Sequence, residues 1–169
     1  SYFDRSQLNK TNFSYSEFIH CSWHKADLIQ TNFTNANLAS NNFTVANQLQ
    51  GVLFINADLT NANFSNLTSE KLNFLKADLT GANLDQLIAP KSQFLQTNLT
   101  KAKLNKTTLD YSNFKNSNFS YAQLQNSNLS YSNLSYAIID NTNFSYCDLS
   151  FSNLHATTGD AIFDKAQLN

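Results

Sequence analysis

Large apolar side chains recur at every fifth residue along almost the whole chain. The series begins with Phe3, Leu8, Phe13 and Phe18, and a large apolar residue fills 30 of 33 such positions, which we call position i. Position i−2 is nearly always small, and position i−1 is mostly Asn or Asp. A period of five fits neither the period of an amphipathic helix nor that of a strand. The pattern therefore predicts a fold built from one repeated five-residue unit.

Each five-residue unit is predicted to form one short side of a coil. An extended backbone points residues i and i−2 to the same side and residue i−1 to the opposite side. A turn after residue i would then redirect the chain, so that one large and one small side chain lie inside. Stacked coils would pair the backbone N–H and C=O groups, which are costly to bury unpaired.

A second period, of twenty residues, sets the number of sides in each coil. It is carried by Phe13, Phe33, Phe54, Phe74, Phe94 and Phe114. Four sides per coil make the chain an all-β solenoid of square cross-section with about eight coils, in a single domain over residues 1–169. At roughly 4.8 Å per coil, the rod would be about 38 Å long.

Several stretches depart from the five-residue pattern. Gln48, Ser69 and Ala89 stand at position i, while Leu67 and Leu87 place bulk at position i−2. Since these departures fall on one face of three successive coils, they predict a local bulge in the wall. The bulge is either a packing variant that conserves internal volume or a binding groove. The irregular stretches are 48–51, 67–72, 87–91 and 155–162, the last being the one loop candidate.

One outward column, at position i+2 of the bulged face, combines lysines with aromatic residues. The last five residues of this column in chain order form a candidate partner-binding stripe. Stacked aromatic residues on neighbouring strands stabilise each other by roughly 0.2–1 kcal/mol per pair, so a purely structural ladder is one interpretation. A surface for a protein partner is another, and stacking of nucleic-acid bases is a third. In order, the column reads Lys10, Gln30, Gln50, Lys71, Lys91, Tyr111, Tyr131 and Phe151, and the last five form the stripe.

Composition and charge narrow the classes of function. The chain has 169 residues, a formal net charge of −1 and a pI near 6.2, which exclude a strongly basic nucleic-acid binder. Its two cysteines are too few for a disulfide scaffold. Cys21 and Cys147 fall in inward positions of distant coils, beyond disulfide reach. Reduced thiols fit a cytoplasmic protein, although a secreted effector is the alternative if a signal segment precedes this chain.

No catalytic or metal-binding constellation is predicted. His20, Cys21 and His24 are spaced like a metal-ligand set, but the register points Cys21 inward and both histidines outward. The sequence contains no phosphate-binding loop and no nucleophile elbow. A rod filled with side chains also leaves no pocket of the usual enzymatic kind. We therefore expect neither an enzyme nor a cofactor. A column of Thr60, Thr80 and Thr100 is too narrow to predict ice binding.

The repeat unit resembles the A-(D/N)-L-x-x motif of the pentapeptide-repeat family. The resemblance covers nearly the whole chain and implies a right-handed quadrilateral parallel β-helix. It also implies a non-catalytic module for protein–protein interaction or scaffolding, in a bacterial protein. The abundance of Asn along the chain fits side chains that bond to turns or to the next coil. The motif is matched by Ala26-Asp27-Leu28, Ala36-Asn37-Leu38, Ala57-Asp58-Leu59, Ala77-Asp78-Leu79 and Ala82-Asn83-Leu84.

A more distant resemblance, to the Qnr-type quinolone-resistance proteins, implies a second function. Those relatives are thought to imitate duplex DNA and occupy DNA gyrase. Mimicry requires dense negative charge, because duplex DNA carries one charge per roughly 1.7 Å of its axis. Here the net charge is −1, and residues 91–115 hold five lysines against one aspartate. Gyrase is therefore the alternative partner, with neither direct nucleic-acid binding nor a membrane span expected.

Neither end of the repeat looks like a cap. Open coils expose unpaired backbone and apolar side chains, and solenoids normally cover them. We therefore expect flanking segments or domains in a longer protein, or end-to-end pairing of two chains.

Overall fold

The structure, a computed structural model, describes residues 2–169. These residues form a solenoid β-helix in which every extended segment pairs through a single residue. Within them there is neither a helix nor a longer strand, and hence no helix that could cross a membrane. Every bridge is parallel and joins residues 19, 20 or 21 positions apart, as Asn143 with Ile162, Asn73 with Gln93 and Asn32 with Leu53. One coil therefore takes about twenty residues, the period that the sequence predicts.

The bridged residues fall into four series, one for each side of the coil. Starting from Gln7, the chain passes along the four sides in a fixed order, and we call them face D, face A, face B and face C in that order. The bridged residues run from Gln7 to Gln167 on face D, from Asn12 to Asn153 on face A, from Glu17 to Thr158 on face B and from Tyr2 to Ile162 on face C.

Three backbone hydrogen bonds typically tie each unit to the equivalent unit of the next coil. In the unit around Phe74, the Phe74 N–H donates to Gln93 O at 2.7 Å and the Lys76 N–H donates to Leu95 O at 2.9 Å. In return, the Gln93 N–H donates to Leu72 O at 2.9 Å. The ladder satisfies backbone groups that would otherwise be buried unpaired.

The corners are tight turns that place residue i+2 in the left-handed region. Gln30 has a φ of 56°, and the N–H of Thr31 donates to Leu28 O at 3.0 Å, the features of a type II turn. Nearly every other corner is likewise held by a residue other than glycine, with φ between 50° and 62°. A left-handed residue costs roughly 1–2 kcal/mol outside glycine, so the stacked ladder, not local preference, imposes the corner.

Asparagine and aspartate at position i−1 reinforce the turns, as the sequence predicts. Asn32 Oδ1 accepts a hydrogen bond from the N–H of Thr34 at 2.9 Å, and Asp78 Oδ1 accepts one from the N–H of Thr80 at 3.0 Å. The amide of Asn98 reaches the preceding coil and donates to Asp78 Oδ1 at 3.2 Å. Each such side chain occupies a turn donor that the backbone ladder leaves free.

The interior is filled by stacks of aromatic rings. Along face A, Phe33, Phe54 and Phe74 lie nearly parallel, with centroids 5.6 and 5.2 Å apart. Along face C, Trp23 stacks on Phe43 at 5.8 Å. All five side chains are fully buried. The prediction that position i points inward is confirmed for these five residues.

Small residues at position i−2 carry a second, buried set of hydrogen bonds. The hydroxyls of Thr97 and Ser127 donate to the carbonyl oxygens of Phe74 and Leu104, each just over one coil earlier in the chain, at 2.6 Å. Cys147 occupies an equivalent place, and its thiol donates to Leu124 O at 2.8 Å. Burial raises the pKa of the Cys147 thiol to about 11.

Replacing Cys147 with serine is expected to change the dependence of stability on pH. The folded pKa of about 11 lies above the ordinary value of 9.0, so Cys147 contributes stability that is complete below pH 9 and lost as the pH rises toward 11. Serine does not titrate there. Urea unfolding under reducing conditions should show the wild type losing stability relative to Cys147→Ser between pH 8 and pH 10.5. A constant difference would contradict the burial of this thiol.

The structure corrects the register at the first irregular stretch. Leu49, not Gln48, occupies the inward position: Leu49 is 3% exposed, whereas Gln48 is exposed and bridges to Asp27. The inserted residue is Asn47, directly before the bridge. Leu49 takes the inward position because burying a glutamine amide without hydrogen-bond partners costs free energy. As a result Gly51, with a φ of 68°, takes the corner position predicted for Gln50.

The stretch from His155 to Ile162 does not form a protruding loop. Thr158 bridges to Ile138 over 20 residues, whereas the two bridges that follow, from Asn143 to Ile162 and from Asp148 to Gln167, span 19. The wall therefore continues with one residue fewer. Gly159 makes this shortening feasible: its φ is 106°, and a Cβ atom there would lie 2.2 Å from Asp140 Oδ1.

Candidate functional site

The predicted stripe lies along the corner between faces D and A. Its members, Lys71, Lys91, Tyr111, Tyr131 and Phe151, all have φ of 57–59°. Because each stands one coil beyond the previous one, their side chains leave the rod from equivalent positions. Backbone bonds fix the aromatic part: the N–H of Tyr131 donates to Ser150 O at 2.9 Å and that of Phe151 to Asn169 O at 2.7 Å.

The three aromatic rings of the stripe form one continuous stack. Tyr111 and Tyr131 have centroids 4.7 Å apart and planes inclined by 3°. Tyr131 and Phe151 follow at 4.9 Å and 16°. Even so, the three side chains remain 52%, 49% and 67% exposed. The stack stabilises the corner while leaving a row of ring edges in solvent.

This stacking weighs against base stacking as the role of the stripe. Both faces of the Tyr131 ring are covered, by Tyr111 on one side and Phe151 on the other. A nucleobase needs a free aromatic face, and inside the stack none remains. The ring edges and the two tyrosine hydroxyls are what a partner would contact.

The stripe lysines extend the column but do not lie over its rings. In the part of the chain that the structure describes, the cation–π contacts belong to other pairs. Lys115 Nζ lies 5.7 Å from the centroid of Tyr136, and Lys165 Nζ lies 5.1 Å from that of Tyr146. The column therefore has a cationic half, Lys71 and Lys91, and a separate aromatic half.

A second aromatic group borders the opposite edge of face A, and the sequence reasoning missed it. Tyr136 stands at the corner between faces A and B, with His155 packed edge-on at 5.6 Å. Between this group and the stripe lie the outward residues Asn133 and Asn153. The available signal was that six of the seven tyrosines occupy left-handed corners. The final coils thus present aromatic groups on both edges of one face.

The bulge takes a different form in each of the two coils where a leucine at position i−2 faces a small residue at position i. At Ala89 the exchanged Leu87 is fully buried, so bulk simply moves from one inward slot to the other. At Ser69 the exchanged Leu67 is only partly buried. There a cleft of about 300 Å³ opens between residues 47–50 and 68–70. Both interpretations of the bulge thus have a counterpart, one in each coil.

The remaining candidate positions do not converge on a site. Cys21 is half-buried while His20 and His24 are exposed, and within residues 2–169 no group of three or more His, Cys, Asp or Glu side chains could hold a metal. The hydroxyls of Thr60 and Thr80 donate to Asp58 and Asp78 at 2.6 Å. These threonines therefore serve the turns of the wall.

Comparison with solved structures shows the same fold elsewhere. A trypsin-treated variant of QnrB1, a plasmid-mediated fluoroquinolone resistance protein, is 15% identical, with a TM-score of 0.56 over 94% of this chain and 89% of that one. Full-length QnrB1 is 21% identical, with a TM-score of 0.50 over 95% and 89%. HetL, from the cyanobacterium Nostoc, is 18% identical, with a TM-score of 0.44 over 98% and 86%.

The sequence itself matches a family model. No curated protein matches the chain. The model for pentapeptide repeats, however, matches in eight copies. The matched residues are 6–44, 48–68, 77–116, 97–135, 109–145 and 122–158. The geometry of the coils and this match lead to one conclusion: the chain belongs to the pentapeptide-repeat family.

Proposed function

We propose that the chain is a non-catalytic protein-interaction module that binds a protein partner through the stripe from Lys71 to Phe151. The observation that carries the proposal is the exposed stack of Tyr111, Tyr131 and Phe151. Large apolar side chains that stay in solvent as one contiguous patch are typical of interaction sites. Aromatic residues are also enriched at the centres of protein–protein interfaces.

The remainder of the molecule supports a scaffolding role. Rings and small side chains fill the interior, and the outer surface repeats from coil to coil, which suits extended contacts with a partner. We further propose right-handed winding, which the family resemblance implies, and about eight coils. Eight consecutive bridged residues on face A, from Asn12 to Asn153, support that number.

Substituting the aromatic stack should strongly weaken partner capture without unfolding the chain. The test variant is Tyr111→Ser/Tyr131→Ser/Phe151→Ser, used as bait beside the wild type. Hot-spot aromatics contribute enough that capture of stripe-dependent partners should fall about tenfold or more. Loss of two stacked pairs should lower the free energy of unfolding by only about 1–2 kcal/mol.

A matched variant separates binding from the general loss of tyrosines. Tyr15→Ser/Tyr121→Ser/Tyr146→Ser removes three exposed aromatic residues from left-handed corners outside the stripe and outside the Tyr136 group. This control should retain capture. If the wild type and both variants recover the same partners in equal amounts, the stripe is structural and the proposal is wrong.

Binding of DNA gyrase by DNA mimicry is the second candidate function. A fold shared with QnrB1 over 94% of the chain favours it. The net charge of −1 and the corner lysines Lys101 and Lys106 oppose it, because mimicry needs dense negative charge. A supercoiling assay with purified gyrase, with and without a quinolone, decides between the two candidates. Protection of gyrase by the added chain would establish the second.

A further inference from the structure

Within residues 2–169 the ladder of face D is interrupted between Gln48 and Thr68. Bridges join Gln7 to Asp27, Asp27 to Gln48 and Thr68 to Ile88, but none joins Gln48 to Thr68. In the part of the chain that the structure describes, no backbone hydrogen bond links residues 44–50 to residues 64–69. The bonds that flank the gap are normal, from Phe43 N–H to Asn63 O at 2.9 Å and from Gly51 N–H to Glu70 O at 3.1 Å.

The interruption follows from a mismatch in length between two neighbouring coils. Asn47 adds one residue between Asn42 and Gln48, whereas both adjoining coils keep the five-residue spacing there; the preceding coil still pairs with Gln48 through Asp27, so the gap opens on the side of Thr68. An extra residue on one side of a paired ladder leaves groups unpaired and bends the backbone outward. In the later coil the inward position is held by the small Ser69, and Leu67 is only partly buried, so these side chains do not fill the gap between the two coils.

The cleft that results holds unused hydrogen-bonding groups of both kinds. The N–H groups of Leu49 and Thr68 donate to no other described residue, and the carbonyl oxygens of Asn47 and Thr68 accept from none. Ser69 lines the cleft and is 5% exposed, and its hydroxyl oxygen is buried without a partner. An unpaired buried group costs about 1–3 kcal/mol, so a bound group that pairs these atoms is favoured.

We propose that this cleft is a binding site for a primary carboxamide group. The backbone groups left open are those that a neighbouring peptide would have paired, one N–H and one C=O on each side, and a carboxamide offers both in one plane. Glu70 is the one ionised side chain in the lining, and its charge opposes anions. A volume of about 300 Å³ accommodates such a group. The site is separate from the stripe, so it stands or falls independently of the proposed function.

Propionamide, propionate and N,N-dimethylpropionamide are the probes that test the site. Titration into the isotope-labelled chain, followed by amide NMR, should shift the Leu49 and Thr68 resonances saturably with propionamide, with a millimolar dissociation constant. Propionate, nearly equal in shape but anionic, should bind at least tenfold more weakly. The dimethyl amide, which lacks an N–H donor, should also bind at least tenfold more weakly. Because these comparisons use the unaltered chain, they remain decisive if a variant fails to fold.

Two variants of one residue show whether the interruption creates the site. Deletion of Asn47 restores equal coil lengths and should close the ladder, slow hydrogen exchange at Leu49 and Thr68, and abolish the shifts. Asn47→Ala keeps the extra residue and should bind propionamide as the wild type does. The proposal is overturned if no probe causes a saturable shift, which would indicate that the cleft holds water only. It is also overturned if propionate matches propionamide or if binding survives the deletion.

Two further ligands identify the source of the carboxamide. An acetylated Ala-Gln-Ala dimethylamide, whose ends carry no primary carboxamide, represents a glutamine side chain of a partner protein, and its control replaces Gln with norleucine. Free glutamine represents a small molecule. Stronger shifts from the glutamine peptide than from the norleucine peptide assign the site to a protein partner. Shifts from propionamide and free glutamine alone assign it to a small amide.

Discussion

Replacement of Phe54 with alanine is expected to lower the free energy of unfolding by about 3–5 kcal/mol. Phe54 is fully buried and stacks between Phe33 and Phe74, at 5.6 and 5.2 Å, with Phe64 edge-on at 5.5 Å. Alanine would remove the ring contacts to two neighbouring coils and leave a cavity in the middle of the stack. Urea unfolding followed by circular dichroism measures the loss.

The control for this prediction is an aromatic residue at the end of the outer stack. Phe151→Ala removes a ring of comparable size that is 67% exposed and stacks only on Tyr131. Its loss should cost about 1 kcal/mol or less. Equal losses for Phe54→Ala and Phe151→Ala would contradict the inward position of Phe54. Since solenoids are coupled mainly through neighbouring coils, the Phe54 variant should also unfold over a broader transition.

Replacement of Asn41 with alanine is expected to cost about 2–4 kcal/mol, because it leaves two buried groups unpaired at about 1–3 kcal/mol each. Asn41 is 3% exposed and stands at an inward position usually held by Ala, Ser or Thr. Its Oδ1 accepts a hydrogen bond from Trp23 Nε1 at 2.9 Å, and its amide donates to Phe18 O at 2.8 Å. The emission of Trp23 reports on the change and follows unfolding directly.

An outward asparagine provides the comparison for Asn41. Asn153 is exposed, and its Oδ1 accepts one hydrogen bond, from the N–H of His155 at 2.9 Å. Asn153→Ala should cost less than about 1 kcal/mol and leave the Trp23 emission unchanged. If both variants lose the same stability, the two buried hydrogen bonds that Asn41 makes with Trp23 and Phe18 do not contribute as described.

Most of the wall could be predicted because its rule is local and repeated. A large residue at position i, a small one at i−2 and an asparagine at i−1 each satisfy a requirement inside their own pentapeptide, and the same requirement recurs in every coil. The inward direction of Phe94, the capping role of Asn32 and the outward column of Tyr111 and Tyr131 all follow from that rule.

The register at residues 46–49 could not be predicted from the motif. Ala46-Asn47-Gln48 fits the repeat and places Gln48 inward, whereas the structure buries Leu49 and leaves Asn47 as the extra residue. The motif offers both registers, because Asn47 fits position i−1 before Gln48 while Leu49 fits the large apolar position i, and the cost of burying the glutamine amide decides between them. The departures at Gln48 and Ser69 predicted a bulge or a groove on this face, but not its unpaired groups, because these arise from hydrogen bonds that two neighbouring coils fail to make.

The bridging interval of about twenty residues limits how such a protein can change its length in evolution. Duplicating or losing one whole winding leaves every later side chain on its original face, and the stripe merely gains or loses a member. Adding a single pentapeptide rotates everything after it by a quarter of a turn. The Tyr111–Tyr131–Phe151 column would then move to the adjoining corner, away from Lys71 and Lys91.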